Sequence, residues 1–199
     1  MRATINAFLR RIPEWALWLA GAVPLGLLGY DLMAGQLGVD PVRDIEHRLG
    51  RTALYFLVAT LAVTPLARFA GLRLIHLRRA LGLLAFSYAA LHIAAWALLD
   101  MGLLWAQMLR DVTKRPYLLF GAGAALILLI LALTSNRASI RRLGPWWRRL
   151  HRLSYLAALL ACLHWLWSLK IITDWAAFVT LAILLLLILR LPVPQKNQK

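Results

Sequence analysis

The chain has 199 residues, 62% of them hydrophobic, and a mean hydropathy of +0.70. These values lie outside the range of a water-soluble domain of this length and indicate an integral membrane protein. The net charge of +15 does not favour nucleic-acid binding, because most of the excess falls in segments predicted to lie on one face of the membrane. Anionic lipid headgroups are the expected partners of that face.

Six segments are long and apolar enough to cross a bilayer, which takes about 20 helical residues. They lie at about 13–33, 52–70, 80–99, 117–135, 150–169 and 175–191. Because they use most of the chain, residues 1–199 are predicted to form a single all-α membrane domain, a six-helix bundle. We interpret the first span as part of this bundle, since no A-x-A cleavage site follows it. No G-x-G-x-x-G unit or P-loop is present, so any nucleotide chemistry belongs to a partner.

The distribution of Lys and Arg predicts the orientation, because loops on the cytoplasmic side carry the excess. The N-terminal segment, the second and fourth connections and the C-terminal tail together hold sixteen basic residues, and the other connections hold seven. Seven of the eight acidic residues lie on the side with fewer basic residues, Glu14 being the exception. Both termini are therefore predicted to lie in the cytoplasm.

Two histidines are predicted to lie at one depth on two parallel helices. His92 lies thirteen residues beyond Arg79 on the third span, and His164 lies thirteen beyond His151 on the fifth. Both spans start on the predicted cytoplasmic side, and thirteen residues of helix rise about 20 Å. Facing histidines at one level of a helix bundle are typical of bis-imidazole ligation of a haem iron. A hydrogen-bonded structural histidine is the alternative at each position taken alone.

The remaining histidines leave alternatives open. Thirteen residues place His151 and His164 roughly 140° apart around an ideal helix, so a π-bulge or kink would be needed to direct both at stacked haems. Otherwise His151 serves a separate site. His76 either pairs with His151 or is an interfacial residue, and His47 is predicted to be solvated or hydrogen-bonded. The single Cys162 excludes C-x-x-C-H attachment, so the haem would be non-covalent haem b.

Several sequence elements resemble one known family. They are DPVRDIEHRLGRTAL, RRALGLLAFSYAALH, R-P-Y, L-T-S, L-G-x-x-W and L-H-R-L-x-Y. These elements are similar to those of the MsrQ (YedZ) family, the haem-binding membrane subunits of the bacterial methionine sulfoxide reductase system MsrPQ, within the ferric-reductase-like transmembrane group. The resemblance extends from the second to the sixth span. It implies that His92, His151 and His164 are haem-linked, whereas His76 has no matching position.

The resemblance implies a function in electron transfer rather than a catalytic subunit. Electrons would pass from the respiratory quinone pool through one or two haem b groups to a periplasmic molybdopterin subunit that reduces methionine sulfoxide in oxidised envelope proteins. An FMN is also associated with the family. A group of arginines either pairs with haem propionates or a flavin phosphate, or serves topology alone. These are Arg78, Arg79, Arg148, Arg149 and Arg152.

Two other functions fit parts of the pattern. A transmembrane ferric or metal reductase fed by a cytoplasmic flavin reductase would use the same haems with another acceptor. A transporter or proton channel would explain buried histidines without haem, but it requires ionisable residues along a pathway and broken helices. The spans hold few acids, and Pro24 and Pro65 are their main breaks. The partner is expected to dock on the predicted periplasmic loops 35–50 and 100–115.

Overall fold

The computed structural model describes residues 2–190, which are helical with no strand among them. The α-helices are α1 (Arg2–Leu9), α2 (Glu14–Met33), α3 (Pro41–Pro65), α4 (Arg78–Ala95), α5 (Trp105–Lys114), α6 (Pro116–Leu133), α7 (Arg137–Leu143), α8 (Pro145–His151), α9 (Leu153–Ser168) and α10 (Asp174–Ile188). The all-α class is confirmed. Leu191, the last residue of the sixth predicted span, and the tail with Lys196 and Lys199 lie outside the described residues.

Four helices form the centre of the bundle. α3 packs most extensively against α4, and α6 packs against α9. The main core lies where these two pairs meet α10. Its fully or almost fully buried side chains are apolar or small: Leu57, Leu61, Ala85, Ala157, Ala158 and Ile183. The two tightly packed pairs place the third and fifth predicted spans on opposite sides of one interior space.

Among residues 2–190, four helical segments are long and apolar enough to cross a membrane: Glu14–Met33, Pro41–Ala70, Ile75–Asp100 and Pro116–Leu133. Helices α9 and α10, with 16 and 15 residues, cover most of the fifth and sixth predicted spans but are shorter. Large apolar side chains on the outside of the bundle, such as Leu133 and Leu181, are well exposed, as expected for a surface in contact with lipid. The count of six spans and the side of the termini stay predictions.

Helix α3 begins earlier than the sequence predicted. Asp40 is its N-cap and its carboxylate accepts a hydrogen bond from the Arg43 backbone N–H, while Pro41 occupies the first turn. Arg48 then forms ion pairs with Asp44 on α3 and with Asp31 on α2. Much of the segment expected to be a periplasmic loop, residues 35–50, is therefore helix. Within the other predicted loop, 100–115, the structure forms α5.

The proline breaks are bridged by side chains from other parts of the chain. The Tyr88 hydroxyl donates to the Gly21 carbonyl at 2.6 Å and accepts from the Leu25 N–H at 3.2 Å, beside Pro24 of α2. Pro65 has no N–H to donate to the Leu61 carbonyl four residues earlier. Arg190 donates to that carbonyl instead, at 3.0 Å through Nε. Arg190 also donates to Thr60 O, Thr64 Oγ1 and the Tyr155 hydroxyl. Backbone groups that would be unpaired in a membrane are thus satisfied.

The helix is interrupted between His151 and His164. α8 ends at His151, Arg152 has φ −69° and ψ −20°, and α9 begins at Leu153. The sequence requires a π-bulge or kink if His151 and His164 are both to be directed at stacked haems. The interruption at Arg152 lies between these two residues.

Candidate functional site

A cavity of about 550 Å³ lies between α3, α4, α6 and α9. Most of its wall is apolar and is formed by side chains such as Leu54, Leu57, Leu128 and Trp165. His92 and His164 also line the cavity. A largely apolar cavity with a few convergent polar groups is typical of a cofactor site.

His92 on α4 is held against α3. Its Nδ1 lies 2.9 Å from the carbonyl oxygen of Glu46, so Nδ1–H is the donor and Nε2 carries the lone pair. One helical turn further along α3, Gly50 faces the same ring. A Cβ at Gly50 would lie 3.3 Å from the imidazole, which is tighter than ordinary van der Waals contact. A carbonyl and a glycine on α3 therefore fix the tautomer and the position of His92.

His164 on α9 has the same setting on α6. Its Nδ1 lies 2.8 Å from the carbonyl oxygen of Tyr117, and the ring centres of these two residues are 5.7 Å apart. Gly121, again four residues beyond the carbonyl, approaches more closely than Gly50 does. A Cβ at Gly121 would lie 2.8 Å from Nδ1 of His164, so a larger residue there would displace the ring.

The two imidazoles meet inside the cavity. Their ring centres are 6.2 Å apart and their planes are inclined at 65°. Since each Nδ1 is bound to a carbonyl oxygen, Nε2 is the nitrogen of each ring that remains for a ligand. The structure therefore brings together the two histidines that the sequence placed at one depth.

The polar end of the cavity lies at the start of α3 and α6. The cationic side chains that line it are Arg43, Arg51 and Arg115, and the acidic ones are Asp40, Glu46 and Asp100. Glu46 Oε1 is buried and has no hydrogen-bond partner among the described residues. The five arginines singled out in the sequence, Arg78, Arg79, Arg148, Arg149 and Arg152, are not among the residues lining this cavity.

His151 and His76 lie in different settings. His151 stacks on Trp147 with ring centres 3.9 Å apart, its Nδ1 lies 3.1 Å from the Trp147 carbonyl oxygen, and its Nε2 lies 3.4 Å from Ser135 Oγ. His76 is exposed, and its Nε2 lies 3.3 Å from the carbonyl oxygen of Ile12. The aromatic contacts among residues 2–190 do not include a His76–His151 pair. His47, which the sequence placed in a loop, is an exposed residue of α3 that lines the polar end of the cavity.

Sequence reasoning missed Gly50, Gly121 and the two carbonyl groups. Glycines next to large side chains, in R-L-G-R and L-F-G-A, were the available signal for close helix contact. Backbone carbonyls carry no signal of their own in a sequence. Their part in orienting the histidines is visible only once the helices are packed.

Comparison with known proteins shows the family of the chain. Residues 49–162, more than half of the chain, match the family described as ferric reductase like transmembrane component. The chain belongs to this family. Its membership and the apolar helices support a multi-pass membrane protein with a role in electron transfer, and members often bind haem. The matched segment includes His76, His92 and His151 and ends two residues before His164. No solved structure matches the chain.

Proposed function

We propose that the chain is the haem b-binding membrane subunit of a methionine sulfoxide reductase system, as its resemblance to MsrQ (YedZ) implies. It would receive electrons from the respiratory quinone pool and pass them to a periplasmic molybdopterin subunit. The chain would be an electron-transfer subunit and not the catalytic one. The observation that carries the proposal is the facing pair of His92 and His164 in an apolar cavity of about 550 Å³.

The geometry of the pair fits a haem iron. A metal–imidazole bond is about 2 Å long and the ring centre lies about 1 Å behind the bonded nitrogen, so two rings flanking one metal have centres roughly 6 Å apart. The observed separation is 6.2 Å. No group of three or more His, Cys, Asp or Glu residues able to hold a metal occurs among residues 2–190. His92 and His164 would therefore hold a metal whose remaining ligands come from a cofactor such as haem.

The protein's own groups would orient the ligands and balance the charge of the cofactor. The carbonyls of Glu46 and Tyr117 hold Nδ1–H of the two histidines, which leaves both Nε2 atoms as ligands and raises their basicity. Arg43, Arg51 and Arg115 line the polar end and suit carboxylates of a haem. When bound, haem b supplies one-electron redox chemistry. An FMN stays an expectation from the resemblance, since no side-chain set among residues 2–190 singles out a flavin site.

The direction of electron transfer follows from the predicted topology. With both termini in the cytoplasm of a bacterial cell and the bundle in its inner membrane, the polar end of the cavity faces the periplasm. Reduction of methionine sulfoxide takes two electrons and two protons and releases water, and it repairs proteins outside the cytoplasm. A haem near the periplasmic surface would be well placed to supply these electrons to a docked partner. The segment around α5 and the start of α3 is the expected docking region.

A transmembrane ferric or metal reductase is the second candidate, and the family description favours it. It would use the same histidine pair, with a cytoplasmic flavin reductase as donor and a ferric chelate as acceptor. The two candidates differ only in what lies at each end of the electron path.

Reconstitution distinguishes these candidates. The full chain, loaded with haem in proteoliposomes, is supplied with a quinol and with the periplasmic molybdopterin protein from the same cell, and loss of methionine sulfoxide is measured. The proposal predicts sulfoxide reduction that depends on quinol, is abolished by His92→Ala and is retained by the exposed control His76→Ala, which lies outside the cavity. Reduction of a ferric chelate through a flavin reductase, with no sulfoxide reduction from quinol, would instead establish the second candidate.

A further inference from the structure

A second cavity, of about 410 Å³, lies at the arginine-rich end of the molecule. It is formed between α1 and the chain that leaves α3. Its lining comprises Arg2, Ala3, Asn6, Arg10, Ala67, Gly71 and Arg73, none of which lines the histidine cavity. We refer to it as the N-terminal cavity.

The N-terminal cavity is lined by three cations and by no acid. Arg2, Arg10 and Arg73 are exposed, and the ion pairs found among residues 2–190 do not involve them. Guanidinium groups around one space repel each other, and an anion placed between them relieves that repulsion. A phosphate group suits such a site because guanidinium can donate two parallel hydrogen bonds to it.

Specific hydrogen bonds fix the walls of the cavity. Asn6 Nδ2 donates to the Gly71 carbonyl at 2.8 Å, and Asn6 Oδ1 accepts from the Arg73 N–H at 2.9 Å. Gly71 has φ +72°, a conformation that glycine adopts without strain. His76 holds the end of the segment by its contact with Ile12 O. These bonds join α1 to the chain after α3, so the three arginines surround a formed cavity.

Aromatic residues place the N-terminal cavity at the level of lipid headgroups. Trp15 and Trp18 lie in the first turns of α2, directly after α1, and are 64% and 39% exposed. Exposed tryptophans at the end of a spanning helix mark the membrane–water interface. Phe8 on α1 and Phe69 after α3 are also exposed, at 69% and 56%, and offer apolar contact for acyl chains.

We propose that the N-terminal cavity binds the phosphate group of an anionic phospholipid. The lipid would join α1 to the chain between α3 and α4 from the membrane side. This site is independent of haem and of the electron acceptor, so failure of one proposal would not affect the other.

The test is titration calorimetry on the full-length protein in a neutral detergent. The probes are short-chain phosphatidylglycerol, short-chain phosphatidylcholine, inorganic phosphate and FMN. The cavity variant replaces Arg2, Arg10 and Arg73 by Gln, and a single Arg73→Gln variant covers the case in which the triple variant folds poorly. The control variant replaces Arg137, Arg141 and Arg142 of α7 by Gln, which removes the same charge from exposed positions elsewhere.

The proposal predicts that wild type binds phosphatidylglycerol more tightly than phosphatidylcholine. Each basic residue near an anionic membrane contributes a measurable part of the attraction, so the triple cavity variant should lose at least about tenfold in affinity. Arg73→Gln should lose part of this, and the control variant should stay within about twofold of wild type. Equal losses in cavity and control variants, or equal binding of both lipids, would overturn the site. Binding of inorganic phosphate or FMN in preference to phosphatidylglycerol would overturn the assignment to lipid.

Discussion

The histidines at the centre of the bundle and those at its arginine-rich end are the same residue type in unlike settings. His92 and His164 each face a carbonyl and a glycine of a neighbouring helix, and their ring centres are 6.2 Å apart. At the other end, His151 stacks on Trp147 and contacts Ser135 through Nε2, while His76 is exposed. A histidine becomes a candidate ligand here only where it lines the cavity and its neighbours bind one ring nitrogen and leave the other without a partner.

The two central histidines are also related by a repeated arrangement. In each case the carbonyl lies on the preceding tightly packed helix, and the glycine follows four residues later, at Glu46 and Gly50 on α3 and at Tyr117 and Gly121 on α6. Residues four apart lie on one face of a helix, so carbonyl and glycine both contact the Nδ1 side of one ring. At the arginine-rich end, the partners of the backbone carbonyls are guanidinium groups instead of imidazoles. Arg190 donates to Leu61 O, and Arg79 donates to Ser135 O.

The two close approaches of a glycine to a histidine ring can be tested individually by substitution with alanine. The largest effect is expected at Gly121. Gly121→Ala places a Cβ 2.8 Å from Nδ1 of His164, so the ring must shift and lose its fit to the metal. Overpacking of this kind costs about 1–3 kcal/mol. We expect a large fall in haem content and an altered low-spin spectrum, with a smaller change for Gly50→Ala, where the contact is 3.3 Å.

Gly26→Ala on α2 is the matched control for these variants. A Cβ at Gly26 meets nothing within 4 Å, so that helix should be unaffected or more stable by up to about 1 kcal/mol. An unchanged spectrum in Gly121→Ala, or equal changes in all three variants, would contradict the assigned role of the glycines.

The arginine-to-carbonyl contacts can be tested by a double-mutant cycle. Arg190→Met leaves the Leu61 carbonyl, already deprived of a helical donor by Pro65, without its guanidinium partner. Loss of a partner from a buried polar group costs about 1–3 kcal/mol in the free energy of unfolding. Thermal unfolding of the protein in detergent measures this cost. Haem content per folded chain should stay normal.

Pro65→Ala supplies the missing N–H, so Arg190→Met should cost clearly less in that background than in wild type. Equal costs in both backgrounds would show that Arg190 does not serve the proline break.

His151 tests whether the arginine-rich end has a redox role of its own. If a donor reacts near the His151–Trp147 stack, His151→Ala should slow quinol-driven reduction severalfold, while the central haem remains bound and reducible by dithionite. Stopped-flow spectroscopy measures both reactions. An unchanged quinol-driven rate would remove His151 from the electron path.

The smallest effect is expected at the mouth of the cavity. Asp100 is exposed there, whereas Asp44 and Asp111 already pair with Arg48 and Arg115. Charges at the rim of an interface chiefly change the encounter rate and its salt dependence. Asp100→Lys should therefore slow reoxidation of haem by the periplasmic partner at low salt and have little effect at high salt. The control Glu14→Lys, at an exposed position at the start of α2 that does not line the cavity, should not change the rate. An equal change would argue against docking at this mouth.

The sequence predicted the helices better than their ends. Each of the six predicted apolar segments overlaps a helix. The length of an apolar run is enough to predict a membrane helix, and it can be counted directly in the sequence. The start of α3 was placed too late because residues 41–50 are polar, although Asp40 and Pro41 form a recognisable helix start. The short helices α1, α7 and α8 carry too few apolar residues to be identified as spans.

The candidate site was only partly predictable. Counting residues from the arginine-rich ends placed His92 and His164 at one depth, and the structure brings them together. The same counting could not distinguish a paired histidine from one that contacts a carbonyl or a serine, as His76 and His151 do. That difference depends on helix rotation and on glycines of neighbouring helices, which a single sequence does not display.

Haem content per polypeptide, measured together with the reduced-minus-oxidised spectrum, tests the histidine pair most directly. Wild type, His92→Ala and His164→Ala are compared with the exposed control His76→Ala, which lies outside the cavity. The account predicts that the two central variants lose the same haem and its low-spin signal, and that the control keeps the wild-type content. A full wild-type low-spin spectrum in either His92→Ala or His164→Ala would contradict the pairing on which the proposed function rests.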